Sequence, residues 1–213
     1  LSRKISTMGD RLEAAGFDSS ARGLDVGCGQ GWYADEMTRL GYRIHGMDTA
    51  LRQVEASPET TSASFLQGEA SDLPFPEDAF DFAYGINVIH HILDPQARRE
   101  SLSEIVRVLR PGGLFFLHEI NTRNPLFAFY MSYLFPVMTT IDEGNEIWVR
   151  PDALPRVHGA AWTEDVDYFT FLPDFVPAGL VRTLGGMESF LERSRTRVWS
   201  AHYMACLVKG RRG

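Results

Sequence analysis

Residues 24–31 read Leu-Asp-Val-Gly-Cys-Gly-Gln-Gly, and this stretch decides the fold. An apolar strand end runs into glycines at the alternate positions Gly27, Gly29 and Gly31, and residues 32–40 that follow have helical character. Glycine allows a tight turn and lets backbone N–H groups approach a ligand without a Cβ in the way. The stretch therefore predicts a strand–loop–helix unit whose loop binds a ligand through its backbone.

Strand and helix signals alternate along the chain, which predicts an α/β fold with a parallel sheet built from βα units. Strands are predicted over about 22–27, 42–47, 63–67, 80–85, 114–119, 166–171 and 199–208. Helices are predicted over about 2–17, 31–40, 49–56, 95–109, 151–161 and 177–192. Because no internal repeat or low-complexity linker interrupts this pattern, we expect a single domain over residues 1–213, with an insertion at about 121–147.

Charge and cysteine content exclude some classes of protein. A net charge of −7 argues against a nucleic-acid-binding surface, which depends on clustered Lys and Arg. Cys28 and Cys206 lie far apart in apolar surroundings, which is typical of buried thiols in a reducing compartment.

Residues 1–11 lack the apolar core of a signal peptide, and the start at Leu1 suggests a truncated or processed chain. We expect a cytoplasmic location.

The predicted insertion contains 17 uncharged residues, 125–141. A membrane-spanning helix needs about 20 apolar residues, and Pro136 interrupts this segment, so a buried lid or core helix is the first interpretation. Peripheral membrane contact is the second. Its apolar and aromatic side chains favour a large apolar acceptor pocket, although helix packing or a dimer face would use the same residues, and both a monomer and a homodimer stay open. These side chains are Phe127, Phe129, Tyr130, Met131, Tyr133, Leu134 and Phe135.

Five motifs, taken in order, resemble the class I S-adenosylmethionine (SAM)-dependent methyltransferases, in the small-molecule branch typified by methyltransferase type 11. The motifs are residues 24–31, 46–48, 68–75, 80–91 and 109–114. Trp32 stands where a dinucleotide fingerprint has glycine or alanine, and Asp25 precedes the glycines, so an NAD or FAD site is disfavoured. The resemblance implies a Rossmann-like three-layer αβα sandwich, with a seven-stranded, mostly parallel sheet whose last strand is antiparallel.

The resemblance also implies SAM as the cofactor and S-adenosylhomocysteine as its product. Asp48 is expected to accept the ribose hydroxyls, or alternatively to cap the helix that follows it. Asp72 and Leu73 are expected beside the adenine, although an aspartate before Pro74 is often a simple turn residue. Asp25 would support the loop or reach the methionine ammonium through water. The full predicted set is Asp25, Gly27, Cys28, Gly29, Gly31, Asp48, Thr49, Ala70, Ser71, Asp72, Leu73, Gly85 and Asn87.

The predicted catalytic residues are His90, His91 and Glu119, which follow the fourth strand or end the fifth. A neutral imidazole can take a proton from a hydroxyl or an acidic carbon, although one ring of such a pair often only packs beneath the site. His118 and Glu119 are adjacent on a strand and point to opposite faces, so at most one of them faces the pocket. No metal is expected, because the chain lacks a recognisable ligand spacing.

The sequence therefore predicts methyl transfer from SAM to a small, hydrophobic or aromatic acceptor, at oxygen, carbon or nitrogen. A SAM-binding protein without catalysis is one alternative, and a methyltransferase acting on a membrane-associated lipid or quinone is another. A short-chain reductase is disfavoured, because no tyrosine has a lysine four positions later. The segment 85–89 also lacks the Asn/Asp-Pro-Pro-Tyr/Phe tetrad of enzymes that methylate base amino groups.

Overall fold

Eight strands form one sheet in the computed structural model of the chain, which describes residues 2–50, 52, 61–129, 133, 147–171 and 195–211. They are β1 Arg22–Val26, β2 Arg43–Asp48, β3 Ser64–Gln67, β4 Phe80–Ile86, β5 Leu109–Ile120, β6 Ala160–Trp162, β7 Asp167–Phe169 and β8 His202–Lys209. The strand order is β3-β2-β1-β4-β5-β8-β6, and β7 also pairs with β8. The pairs among β1 to β5 are parallel, whereas β8 runs antiparallel to β5, β6 and β7.

Four α-helices flank the sheet in the part of the chain that is described: α1 Ser2–Ala14, α2 Trp32–Arg39, α3 Pro95–Val108 and α4 Pro125–Phe129. The start of α3 follows the sequence closely, because the Asp94 carboxylate accepts the N–H groups of Gln96 and Ala97 and Pro95 occupies the first turn. Short 3₁₀ turns lie at Ile89–His91, Pro151–Ala153 and Arg195–Trp199. Among these described helices, none combines the length and the apolar character needed to cross a membrane.

Apolar side chains cover both faces of the sheet, which gives three layers. Phe82, Tyr84 and Phe116 pack with α1 and α2 on what we call the α1 face. Ala83 and Phe115, their neighbours along the same strands, pack with α3 on what we call the α3 face. Each large side chain buried in this way contributes about 1.5–3 kcal/mol relative to exposure. The Rossmann-like three-layer arrangement is confirmed.

The far edge of the sheet differs from the sequence prediction. An antiparallel last strand is confirmed, but the sheet has eight strands rather than seven, because β6 and β7 pair with opposite ends of β8. The predicted helix over 151–161 is wrong: a 3₁₀ turn at Pro151–Ala153 leads into β6 instead. Pro155 lacks the N–H that a helix needs, and Gly159 has φ +75°, so these residues do not continue a helix.

Residues 110–113 form a bulge rather than a free turn. Phe80 pairs with Leu109 but Phe82 pairs with Leu114, so the intervening residues loop out of the ladder. Gly112 has φ +80°, a conformation that favours glycine. The predicted helices over 49–56 and 177–192 lie outside the described residues, apart from Thr49, Ala50 and Arg52, and so does most of the predicted insertion.

Two buried asparagine side chains, just after β5, donate hydrogen bonds to backbone carbonyls elsewhere in the chain. The Asn121 side-chain amide donates to the carbonyls of Val198 (2.9 Å) and Ser200 (2.8 Å). The Asn124 amide donates to the carbonyls of Phe171 and Trp199, both at 2.8 Å. Three of these bonds tie the exit from β5 to the segment that enters β8, and the fourth ties it to the residues after β7.

Candidate functional site

A cleft of about 460 Å³ opens at the carboxyl ends of β1, β2 and β4. Open α/β sheets place their ligand sites at this edge, where the strand order changes direction. The cleft is lined by Val26, Gly27, Met47, Asp48, Thr49, Gly68, Glu69, Ala70, Ser71, Asn87, Val88, His91, Ile92, Ala97 and Ser101. Six of the predicted cofactor residues and one predicted catalytic residue are therefore brought together here.

Gly27, the first residue of the glycine loop, lines the cleft. Gly27, Gly29 and Gly31 have φ values of +70°, +51° and +75°, so all three adopt the left-handed conformation that favours glycine. A Cβ on Gly27 would lie 2.5 Å from the Val88 side chain, whereas a Cβ on Gly29 would meet no atom within 4 Å. The backbone at Gly29 therefore faces open space, as a loop that approaches a ligand requires.

The Asp48 carboxylate pins this loop to the end of β2. Its Oδ2 atom accepts the Gly29 N–H at 2.8 Å, and its Oδ1 atom accepts the Ala50 N–H, also at 2.8 Å. The second bond is a local turn bond, and the helix that Asp48 was alternatively expected to cap lies mostly outside the described residues. An ionised carboxylate has about four acceptor positions, so half-buried Asp48 keeps capacity to accept hydroxyl groups from a ligand in the cleft.

Asp25 lies beneath the loop rather than in the cleft lining. Its carboxyl group is 2% exposed, and Oδ2 has no hydrogen-bond partner in the described part of the chain. Burial raises its pKa to about 8, while the nearby Tyr84 hydroxyl and Ala34 amide act in the opposite direction. A buried neutral carboxyl group suits support of the loop more than direct contact with a ligand.

The segment after β3 provides one wall. Ala70 and Ser71 line the cleft, as predicted, but Asp72 and Leu73 do not. Asp72 is exposed in a turn closed by its N–H bond to the Glu69 carbonyl (3.1 Å), and Leu73 is 3% exposed in the core on the α3 face. This arrangement agrees with the turn interpretation of Asp72.

The segment after β4 provides the opposite wall. Asn87 lines the cleft with φ +57°, and its N–H donates to the His118 carbonyl at 2.9 Å. Gly85 is buried within β4, and Cys28, Gly29 and Gly31 are not among the lining residues. Burial also raises the pKa of the Cys28 thiol, which leaves it a small apolar side chain.

The three predicted catalytic residues occupy different environments. Glu119 is fully buried on the α3 face, where Oε1 accepts the Ile89 N–H at 2.8 Å and Oε2 lies 2.5 Å from His90 Nδ1. The buried His90 ring stacks on Trp148, with the ring centroids 4.5 Å apart. Of the three, only His91 borders the cleft, and it is exposed.

Sequence reasoning missed the wall that α3 contributes. Ala97 and Ser101 line the cleft one helical turn apart, with the Ser101 hydroxyl donating to the Ala97 carbonyl at 2.8 Å. Small residues at i and i+4 share one face of a helix, which is the signal that was available. Ile92 was also missed, although it directly follows the predicted histidine pair.

The residues present fit SAM. The open backbone at Gly29 provides a cradle, and half-buried Asp48 is available to hydroxyl groups. Apolar walls for a purine come from Ala70, Val88 and Ile92. A cleft of this volume, largely apolar with a few polar groups, is the usual form of a small-molecule site.

Comparisons with known proteins agree with this geometry. Residues 24–117 match the family described as "Methyltransferase domain". A ubiquinone biosynthesis O-methyltransferase of Cereibacter sphaeroides is 29% identical over 152 residues, covering 68% of this chain and 60% of the relative. The O-methyltransferase rstn1 of Aspergillus nomiae is 37% identical over 122 residues, covering 52% and 50%. The chain thus spans less than two thirds of the length of these curated relatives.

Solved structures extend the similarity of fold to nearly the whole chain. A SAM-dependent methyltransferase from Methanosarcina mazei superposes with a TM-score of 0.56 at 21% identity, covering 94% of this chain and 98% of the other. At this level of identity the similarity establishes the fold alone.

We predict that Asp48→Ala weakens SAM binding about 10- to 100-fold, because a hydrogen bond to a charged group contributes about 1.5–3 kcal/mol. Isothermal titration of the purified chain with SAM measures the change. Asp18→Ala is the matched control, since Asp18 closes a similar turn through the Ser20 N–H at 2.8 Å but does not line the cleft. Unchanged affinity in Asp48→Ala would show that the ribose assignment is wrong.

We also predict that ligand-free protein loses stability as pH rises from about 4 towards 8. The folded Asp25 carboxyl has its pKa raised to about 8, whereas the unfolded value is about 3.9. The native state therefore holds a proton that the unfolded chain has released, and stability falls by several kcal/mol across this window. Urea unfolding at several pH values measures the slope, which Asp25→Asn should flatten. An identical slope in both proteins would contradict the assignment.

Proposed function

We propose that this chain, whose residues 24–117 match the family described as "Methyltransferase domain", is an enzyme that methylates an oxygen atom of a small, apolar or aromatic acceptor, with SAM as methyl donor. The observation that carries the proposal is the cleft itself, in which the open glycine loop and the Asp48 carboxylate lie side by side at the carboxyl edge of the sheet. Two curated relatives named as O-methyltransferases support oxygen as the acceptor atom.

Residues from four segments hold the cofactor in this proposal. The loop at 27–31 receives the methionine end through its backbone, and Asp48 receives the ribose hydroxyls. Ala70 and Ser71 face Val88 and Ile92 across the adenine. Asp25 stays beneath the loop and stabilises it from the α1 face. SAM held there would supply an electrophilic methyl group for transfer to the acceptor oxygen, and its sulfur would keep the bonding electron pair.

His91 is the proposed acceptor of the hydroxyl proton. It is exposed at the cleft, and a positioned histidine imidazole can accept a proton as a general base. Glu119 contacts neither cofactor nor acceptor in this scheme. Its two oxygens hold the Ile89 N–H and the His90 ring, and thereby fix the turn that presents His91. Glu119 and His90 are therefore proposed as positioning residues rather than catalytic ones.

Aromatic packing supports an apolar acceptor. Phe127 at the start of the insertion packs edge-on against Trp148 (centroids 5.4 Å apart), and Trp148 stacks on His90. This aromatic group lies directly behind the histidine pair. A second candidate function, methylation of a membrane-associated quinone or lipid, is favoured by the exposed Phe129 and Tyr133, whose rings lie 5.1 Å apart.

The test is transfer of radiolabel from methyl-labelled SAM to a panel of phenols, catechols and quinols, with S-adenosylhomocysteine measured in the same reactions. We expect the label to appear in an ether product, together with an equimolar amount of unlabelled S-adenosylhomocysteine. Transfer only when the acceptor is embedded in phospholipid vesicles would favour the second candidate. SAM binding without transfer to any acceptor, free or embedded, would identify a catalytically silent binding protein and overturn the proposal.

We predict that Glu119→Gln lowers kcat about 10-fold or more while the affinity for SAM changes less than about twofold. The neutral amide has only one acceptor oxygen, so it cannot accept hydrogen bonds from both the Ile89 N–H and the His90 ring as the two carboxylate oxygens can. The histidine turn therefore loses its alignment. Single-turnover kinetics together with SAM titration separate the two effects. A parallel loss of SAM affinity would indicate a general structural role instead.

A further inference from the structure

Four consecutive residues, 68–71, line the cleft directly after β3, and we call them the 68–71 wall. A backbone hydrogen bond joins the start of this wall to the end of β2, because the Gly68 N–H donates to the Asp48 carbonyl at 3.0 Å. The other end leads into Leu73, whose side chain is buried in the core on the α3 face. The position of the wall therefore depends on what holds residues 73–75.

Two side chains of α3, Glu104 and Arg107, hold this second end. The Glu104 Oε2 atom accepts the Leu73 N–H at 3.0 Å. The Arg107 guanidinium donates to the Leu73 carbonyl at 2.9 Å and to the Phe75 carbonyl at 2.8 Å. Three backbone groups of this short segment are thus bound by one pair of side chains.

The Glu104–Arg107 pair is itself joined in a fixed geometry. Arg107 Nε and Nη2 donate to the two Glu104 oxygens, each at 2.7 Å, which is a bidentate contact. The hydrogen bond from Arg107 lowers the pKa of the Glu104 carboxyl, so the carboxylate stays ionised. It also raises the pKa of Arg107, and the nearby carboxylates of Glu77 and Asp72 act in the same direction. A lysine could not replace this arginine, because its ammonium lacks the planar fork.

The helix that carries the pair also lines the cleft. Ala97 and Ser101 are lining residues, and Glu104 follows Ser101 by three positions, so all three lie on one side of α3. Because α3 is a continuous helix of 14 residues, its lining residues and the Glu104–Arg107 pair keep a fixed relation to each other. The pair therefore sets the separation between α3 and the 68–71 wall.

We propose that Glu104 and Arg107 are positioning residues for SAM, which hold the 68–71 wall at the distance from α3 that admits the adenine. Neither residue is among those that line the cleft, so the pair acts through the wall rather than on the cofactor. The inference rests on the proposed function, in which Ala70 and Ser71 face the adenine. When the pair is broken, the wall occupies its binding position for only part of the time, and the apparent affinity falls by that fraction.

Two ligands test the inference by titration of the full chain: S-adenosylhomocysteine, and adenosine, which lacks the amino-acid end. Arg107→Lys is the informative variant, because it keeps the charge and the aliphatic stem but cannot bind Glu104 and both carbonyls together. We expect its affinity for both ligands to fall about tenfold and by the same factor, since the change acts at the adenine. Each titration is made well below the melting temperature of the variant, so that the folded fraction does not affect the result.

A second variant and a matched control accompany it. Glu104→Gln has one acceptor oxygen in place of two, and we expect it to weaken both ligands in the same way. Arg39→Gln is the control, because Arg39 makes an ion pair of the same i, i+3 spacing with Glu36 (2.9 Å) but lies on α2 and does not line the cleft. This control should leave both affinities unchanged.

Hydrogen exchange provides a readout that a loss of overall stability would not reproduce. In the ligand-free protein, we expect the Leu73 amide to exchange faster in Arg107→Lys and in Glu104→Gln, while the amides of β4 and β5 keep their protection. Arg39→Gln should retain the protection of Leu73.

Unchanged affinity in both variants of the pair, a loss for S-adenosylhomocysteine without a comparable loss for adenosine, or unchanged exchange at Leu73 would each overturn the inference. A lower melting temperature with unaltered affinities would show that the pair only stabilises the fold, and would overturn it as well.

The proposed function fails separately. With an acceptor that is methylated, we expect the KM for SAM to rise in Arg107→Lys while kcat is retained. Losses of affinity for both ligands without methyl transfer to any acceptor would remove the proposed enzyme and leave the positioning role of the pair standing.

Discussion

The hydrogen bond between the Gly29 N–H and the Asp48 carboxylate is the interaction on which the cleft depends. It joins the loop after β1 to the end of β2, and the Met47 carbonyl reinforces the same junction by accepting the N–H groups of Gly27 and Cys28. The loop must adopt a left-handed backbone to make these contacts, which a side chain would strain. Asp48 therefore has two tasks, since it shapes the loop and keeps acceptor capacity for a ligand.

Elements with a local cause were predictable from the sequence. The strands β1 to β4 and the loop follow from apolar runs that end at glycine or aspartate, and α3 follows from the Asp94-Pro95 start. The strand predicted over 166–171 contains β7, but β6 was not predicted, because a strand of three residues carries almost no periodic signal. They exist only because β8 offers a free edge along its length, which is a property of the assembled sheet.

The residues of the candidate site likewise divide into those that the sequence could predict and those that it could not. Residues whose backbone or carboxylate serves the loop, such as Gly27 and Asp48, carry their signal in the sequence and lie in the cleft. Asp72 and Leu73 were assigned through the resemblance alone, and neither lines the cleft. Ala97 and Ser101 carried only the helical spacing of two small residues as a signal, because small side chains become part of a site through the shape that packing gives them. Which strands pair with each other in the sheet likewise could not be derived from the local sequence.

Two adjacent residues at the end of β5, His118 and Glu119, lie in different environments. Successive residues point to opposite faces, so Glu119 reaches His90 on the α3 face while His118 remains on the α1 face. Burial holds the pKa of His118 well below its usual range, whereas Glu119 binds the Ile89 N–H and contacts the His90 ring. The sheet thereby places the Glu119–His90 contact on the α3 face, next to the turn that carries His91, which suits the positioning role proposed for this pair.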